Sequence, residues 1–268
     1  MNLRVTRILS LAVISLFGIT EARAQFDRWP GAIKNIEVGY GYAKAWADYE
    51  RQVKAVREDG KRYDTTISMS VTNKGGFSGA FGTSLPMARL GRSSRLNLGL
   101  NFIYNNYLWD LPIANAARLA DSGVRFDYSG NVFFTGASLN YGLAISADFK
   151  FGVDAMMDKR YRWSWTGGIG VMPSMNATTD FSSADANFGV QPFAKTELGL
   201  RAGIVWKLRV MYQAGPLTYL DVTPKNSFFG ISSAEQTTRL IGKGNLNVSL
   251  ILMPFSWTYT RTSWYNSY

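Results

Sequence analysis

Apolar and polar positions alternate with a period of two over stretches much longer than an ordinary soluble strand. Between Phe133 and Val153 the odd positions read Phe133, Thr135, Ala137, Leu139, Tyr141, Leu143, Ile145, Ala147, Phe149, Phe151 and Val153. The even positions from Gly136 to Asp154 are Gly, Ser, Asn, Ala, Asp and Lys. Such alternation puts one apolar and one polar face on an extended chain. The pattern recurs over Ile36–Tyr42, Tyr63–Leu85, Arg95–Asn105, Tyr161–Val171, Val190–Arg201, Ile204–Gln213 and Asn245–Leu252, which makes eight segments. Through the Gly75-Gly76 pair, the residues Tyr63, Thr65, Ile67, Met69, Val71, Phe77, Phe81 and Leu85 are read as one parity.

A soluble β-sandwich also alternates, but its strands run about 5–6 residues and its outer face is rich in Lys and Glu. Here the polar face is mostly Gly, Ser and Asn with scattered charges, and a membrane strand needs about 9–11 residues. The links alternate in length. Ala47–Arg62, Leu108–Asn131, Asn176–Ala186 and Gly215–Thr238 are long, whereas Pro86–Ser93, Ala155–Arg160 and Ala202–Gly203 are short. Long outer loops and short inner turns are the habit of outer-membrane barrels. The expected fold is all-β: a transmembrane, antiparallel, up-and-down barrel of eight strands, with the N-terminus on the periplasmic side. Ten strands are the alternative, if Asn73-Lys74-Gly75-Gly76 is a hairpin turn and Phe255–Tyr268 adds a strand.

Composition narrows the chemistry. The 268 residues include no His and no Cys. That excludes Ser-His-Asp and Cys-His nucleophiles, Cys/His zinc sites, thiol redox chemistry and disulfides. Residues 1–24 read as a secretory signal peptide: Arg4 and Arg7, an apolar run from Ile8 to Thr20, and the small residues Ala22 and Ala24 at the cleavage position. Cleavage falls between Ala24 and Gln25 and leaves 25–268 as one barrel domain. The chain is basic, with 29 Lys and Arg against 19 Asp and Glu. No nucleic-acid motif accompanies that charge, so acidic outer-membrane lipid and lipopolysaccharide are the expected partners, not nucleic acid.

On these patterns, residues 33–257 resemble the bacterial outer-membrane β-barrel superfamily, in particular its small OmpA/OmpX/OmpW-like members. The Ala24-Gln25 junction resembles that of exported proteins of Bacteroidota. The resemblance implies insertion by the barrel-assembly machinery. That family's C-terminal signal is an aromatic last residue preceded by alternating apolar ones; Tyr268 and Trp264 match it, while Asn266 and Thr262 do not. Aromatic clusters at Tyr40, Tyr42 and Trp46, at Tyr104 and Tyr107, at Tyr161, Trp163 and Trp165, at Trp206 and Tyr212, and at Trp257 and Tyr259 are expected as interface girdles.

Ten charged residues fall on the inward parity: Glu37, Arg95, Asp148, Lys150, Arg162, Lys195, Glu197, Arg201, Lys207 and Arg209. Eight strands enclose only enough space for side chains, and buried charges must pair, so a salt-bridged plug across the lumen is expected. An ion pathway or a catalytic carboxylate pair is the alternative. Barrel enzymes of the superfamily that the chain resembles, those that modify lipid A, cleave phospholipid or hydrolyse peptides, resemble one another in relying on a catalytic His, which is missing here. No catalytic, cofactor-binding or metal-ligating residue is therefore assigned. The expected function is non-enzymatic display of outer loops for surface recognition, adhesion or docking of an envelope partner. The competing expectation is a narrow OmpW-like conduit for small or hydrophobic molecules.

Overall fold

The computed structural model describes residues 33–56, 62–110, 125–126, 135–180, 183–222 and 237–259. The signal peptide, its Ala24/Gln25 cleavage site and the C-terminal signal around Trp264 and Tyr268 lie outside these residues. The strands are β1 (Glu37–Val56), β2 (Arg62–Arg89), β3 (Ser94–Asp110), the two-residue β4 (Arg125–Phe126), β5 (Thr135–Gly152), β6 (Trp163–Asp180), β7 (Ser183–Ala202), β8 (Ile204–Val222) and β9 (Thr238–Met253). A four-residue helix α1 (Val153–Met156) follows β5, and a 3-10 turn (Pro254–Thr258) follows β9.

The eight long strands pair in the order β2-β3-β5-β6-β7-β8-β9-β1, and β1 pairs β2 to close the ring. Every pairing is antiparallel. The chain is thus an eight-stranded up-and-down barrel with no free edge, and β4 only extends the β1 wall through Ala55↔Phe126 and Val56↔Arg125. One rim carries the first and last described residues and the three links expected to be short; the opposite rim carries the four expected to be long, although β6 and β7 are joined there by residues 181–182 alone while residues 153–162 join β5 to β6 on the first rim. Period-two burial over Asn245–Met253 of β9 shows how the alternation becomes a wall, odd positions packed inside and even ones facing out, while from Thr238 to Gly244 the even positions are the buried ones.

Several links are shorter than the gaps between the alternating segments imply. β1 runs on to Val56, β6 to Asp180 and β8 to Val222, so much of the expected loop sequence is wall. Asn73–Gly76 is no hairpin turn but lies within the 28-residue β2. Phe255 opens no further strand among the described residues, because Pro254–Thr258 winds into a 3-10 turn. The strand count is eight, not ten.

The single parity expected through β2 is also corrected. Tyr42 pairs Phe77 and Trp46 pairs Thr72, so β2 spends one residue more than β1 between these points. An extra residue exchanges the two faces. Hence Asn73 and Ser78 both point inward, although their numbers differ in parity, and Phe77 and Thr72 point out. The Asn73 amide bridges the broken ladder: its Nδ2 donates to the Ala43 and Gly75 carbonyls at 3.0 and 2.9 Å, and its Oδ1 accepts from Ala45 N–H at 2.8 Å. Gly76 sits so close to β1 that a Cβ there would lie 2.0 Å from the Ala43 carbonyl oxygen. Single cysteines at Thr72 and Phe77 are expected to react with lipid-side or external reagents, while cysteines at Asn73 and Ser78 stay protected. Protection of Thr72 and reaction of Asn73 would mean an unbroken register.

Candidate functional site: the closed lumen

The interior is built in levels. At the short-link rim the chain leaving β5 turns inward, so Val153, Asp154, Ala155, Met156 and Met157 are all buried. Val153 and Met157 pack with Val205, Met253 and Tyr259 into an apolar floor. The Ala155–Arg160 link is therefore a stopper and not a simple turn. Beyond it, Asp158 accepts from the Arg160 backbone N–H at 2.9 Å and from its guanidinium at 2.9 and 2.6 Å. Burial works to raise the Asp158 carboxyl, but the Arg160 bonds outweigh it and hold the group below its usual range.

Above the floor lies the charge level. Of the ten residues expected there, Glu37, Arg95, Asp148, Lys150, Lys195, Glu197, Lys207 and Arg209 are buried inside. Two are not. Arg162 precedes β6 and is exposed, and Arg201 is half-buried at the rim, where its guanidinium donates to the Lys159 carbonyl at 3.3 Å. Both keep the inward parity but sit where the wall ends, and long basic side chains at a rim turn toward water. Asp154 joins the buried set and was missed. It continues the even parity of Ser146, Asp148 and Lys150; what hid it was the reading of its neighbours Ala155–Arg160 as a short periplasmic turn.

Glu197 and Arg209 are direct cross-strand partners. Arg209 Nε donates to Glu197 at 2.7 Å, and its Nη2 binds Glu37. The Lys207 ammonium stands among three carboxylates, 2.6 Å from Glu37, 2.7 Å from Asp154 and 3.3 Å from Glu197. One ligand oxygen from each of these acids lies within 4.8 Å of the others. That is a spacing a metal ion would need, and here an ammonium fills it. Lys150 binds Asp154 at 2.8 Å, and Lys195 joins Asp148 at 2.9 Å and Glu197 at 3.7 Å. The pairs link into one network over β1, β5, α1, β7 and β8. Arg95 enters it through Asn97 at 2.6 Å and the Asp154 carbonyl at 3.5 Å. Space for these side chains comes from small inward neighbours: a Cβ on Gly168 would lie 2.3 Å from the Asp148 carboxylate.

The next level is neutral. Arg209 Nη1 donates to Asn101 at 3.2 Å, connecting the charges to an amide belt. In that belt Asn247 bonds Ser78 and Asn105, Asn105 donates to Asn140 at 3.2 Å, and Asn140 donates to Asn176 at 2.6 Å. Ile103, Ala144, Met172, Phe193 and Met211 fill the remaining volume. Toward the long-link rim Tyr49, Tyr107, Trp109, Leu217, Tyr219, Leu220 and Leu240 form an apolar cap over Ala43, Ala45 and Ala47. Tyr107, Trp109 and Tyr219 are in mutual ring contact at 5.2–6.0 Å. Tyr107 and Tyr259 were expected in interface girdles and instead face inward, Tyr259 as part of the floor. The alternation was read only as far as Asn105, and Tyr107 lies on that same inward parity.

No protein-family model and no curated protein matches the chain. Solved structures similar to it include Ail, the attachment invasion locus protein of Yersinia pestis, at 9% identity and a TM-score of 0.26, covering 79% of this chain and 99% of that one. The outer membrane protease OmpT from Escherichia coli matches at 7% identity and a TM-score of 0.36, covering 81% and 96%. The Pseudomonas putida toluene transporter TodX matches at 6% identity and a TM-score of 0.19, covering 80% and 89%.

Proposed function

We propose that the chain is a non-enzymatic outer-membrane barrel of a Gram-negative envelope, delivered by its signal peptide and inserted by the barrel-assembly machinery. It acts through what the long-link rim presents outside: surface recognition, adhesion or docking of an envelope partner. The membrane setting is supported by the outer wall, where Phe102, Leu143, Ile169, Val190, Leu198 and Leu208 are each 45–70% exposed. A soluble monomer rarely shows so continuous an apolar belt, and a closed ring satisfies its backbone without water. Exposed Trp163, Trp165, Trp206 and Trp257 edge the belt at the short-link rim, and Tyr42 and Tyr212 edge it on the other side.

The observation that carries the display reading is the doubly closed lumen: a cross-linked charge level over an apolar floor at one end, and an aromatic cap at the other. Each carboxylate of the charge level is buried and ion-paired, which argues against its serving as a general base. Purified protein in planar bilayers is expected to show no conductance steps. Stable steps in the unmodified protein would transfer the reading to an OmpW-like conduit for small or hydrophobic molecules.

A further inference from the structure

Three breaks in strand register fall at one height of the outer wall. They lie between Tyr42 and Trp46 on the β1–β2 seam, between Trp46 and Ala47 on the β1–β9 seam, and between Ala214 and Leu217 on the β8–β9 seam. A bulge bends its strand and re-aims the side chains beside it. Here the bends leave an outward groove of about 300 Å³, lined by Trp46, Ser70, Thr72, Tyr212, Lys243 and Gly244 with the backbone between them.

The height is informative. Along β1 the outward residues change from Val38, Tyr40 and Tyr42 to Lys44, Trp46, Asp48 and Glu50. Along β2 they change from Phe81 and Phe77 to Thr72, Ser70 and Ser68. The groove sits where the apolar belt gives way to charge, on the long-link side. In the membrane setting proposed above, on which this inference rests, that is the headgroup level of the outer leaflet.

We infer that the groove binds the phosphate headgroup of an outer-leaflet lipid. Lys243 is held by Asp48 at 2.7 Å and Ser70 at 3.0 Å, and the Ser70 hydroxyl donates to Asp48 at 2.7 Å, so this ammonium is fixed at the groove wall. The Lys44 ammonium lies 5.8 Å from the centre of the Trp46 ring and has no ion pair among the described residues. Lys243 is balanced by Asp48, so the positive charge for an anion comes from Lys44, which stands on β1 beside the Trp46 wall of the groove and does not itself line it; Glu50 stands farther out along β1. Lysine binds phosphate as a point charge, and hydroxyls such as Thr72 complete its hydrogen bonds. The apolar wall below, Tyr42, Phe77 and Tyr212, is where acyl chains would lie. A free phosphate would gain nothing from that wall, so the lipid is the favoured source.

The test uses the full mature chain in nanodiscs of phosphatidylcholine doped with phosphatidic acid, with bound lipid counted by native mass spectrometry. Phosphatidic acid is expected to be retained over phosphatidylcholine, and the double variant Lys44→Gln/Lys243→Gln to lose that preference roughly tenfold. The compact, unboiled gel band should be unchanged in the variant, since both side chains are at the surface. Equal retention by the variant, or displacement of the lipid by millimolar inorganic phosphate, would overturn the inference. A chain that fails to enter nanodiscs at all would instead overturn the membrane setting.

Discussion

Replacing Glu197 by Gln is expected to lower the stability of the barrel by about 3–5 kcal/mol, because the change leaves buried cations without their counter-charge. Glu197 is the acid that faces three of them, with Arg209 at 2.7 Å, Lys207 at 3.3 Å and Lys195 at 3.7 Å. The amide has the same shape, so packing is kept and the loss isolates the charge. Lys207 retains Glu37 and Asp154, but Arg209 keeps only Glu37 and Lys195 only Asp148. The measurement is the denaturant midpoint in detergent, read from the compact gel band that closed barrels keep until boiled. The control is Asp221→Asn, which breaks an ion pair with Arg239 whose partners are 40% and 45% exposed. Such a pair is worth at most about 1 kcal/mol. If Glu197→Gln leaves the midpoint in place and opens a conductance, the charges line a pathway and the conduit reading replaces the display reading.

What the alternation could and could not disclose follows from its physics. Burial on one face writes a period of two into any strand whose register is regular, so β3 as far as Asn105, most of β5, β6 as far as Val171, β7 from Val190 to Leu200 and the lower part of β8 were legible in which face each residue takes. A single inserted residue inverts that code without altering composition. The segment through Asn73 and Gly76 therefore looks continuous in sequence while its faces exchange at the bulge. The outward groove, made by three such breaks, was invisible for the same reason. The interior charges were legible because a narrow lumen must pair them, yet parity says nothing about where a wall stops. Arg162 and Arg201 were placed inside on parity alone and lie at the rim. Asp154 and α1 went the other way: nothing local marks Val153–Met157 as a stopper, since its apolar side chains are equally suited to a turn beside the membrane. The inward fold of that link depends on Val205, Met253 and Tyr259 arriving from distant strands to receive it.

Lys207→Met is expected to cost a similar 3–5 kcal/mol, for the complementary reason that three carboxylates lose the cation between them. Methionine preserves most of the chain length, so the space stays filled while the charge disappears. Glu37 and Glu197 still meet Arg209, and Asp154 still meets Lys150 at 2.8 Å, but the acids then confront one another with one ligand oxygen each inside 4.8 Å. Removing one of those acids should relieve part of the repulsion. The double variant Lys207→Met/Glu197→Gln is thus expected to be more stable than the sum of the single losses, by about 1–3 kcal/mol. The same midpoint measurement on the four proteins of the cycle reads this coupling directly. Strict additivity would mean that Lys207 and Glu197 act independently despite their 3.3 Å contact, and that the plug is a set of separate pairs instead of one network. Coupling of the expected sign makes the plug cooperative, because moving Lys207 exposes Asp154 and Glu197, which are shared with Lys150 and Arg209.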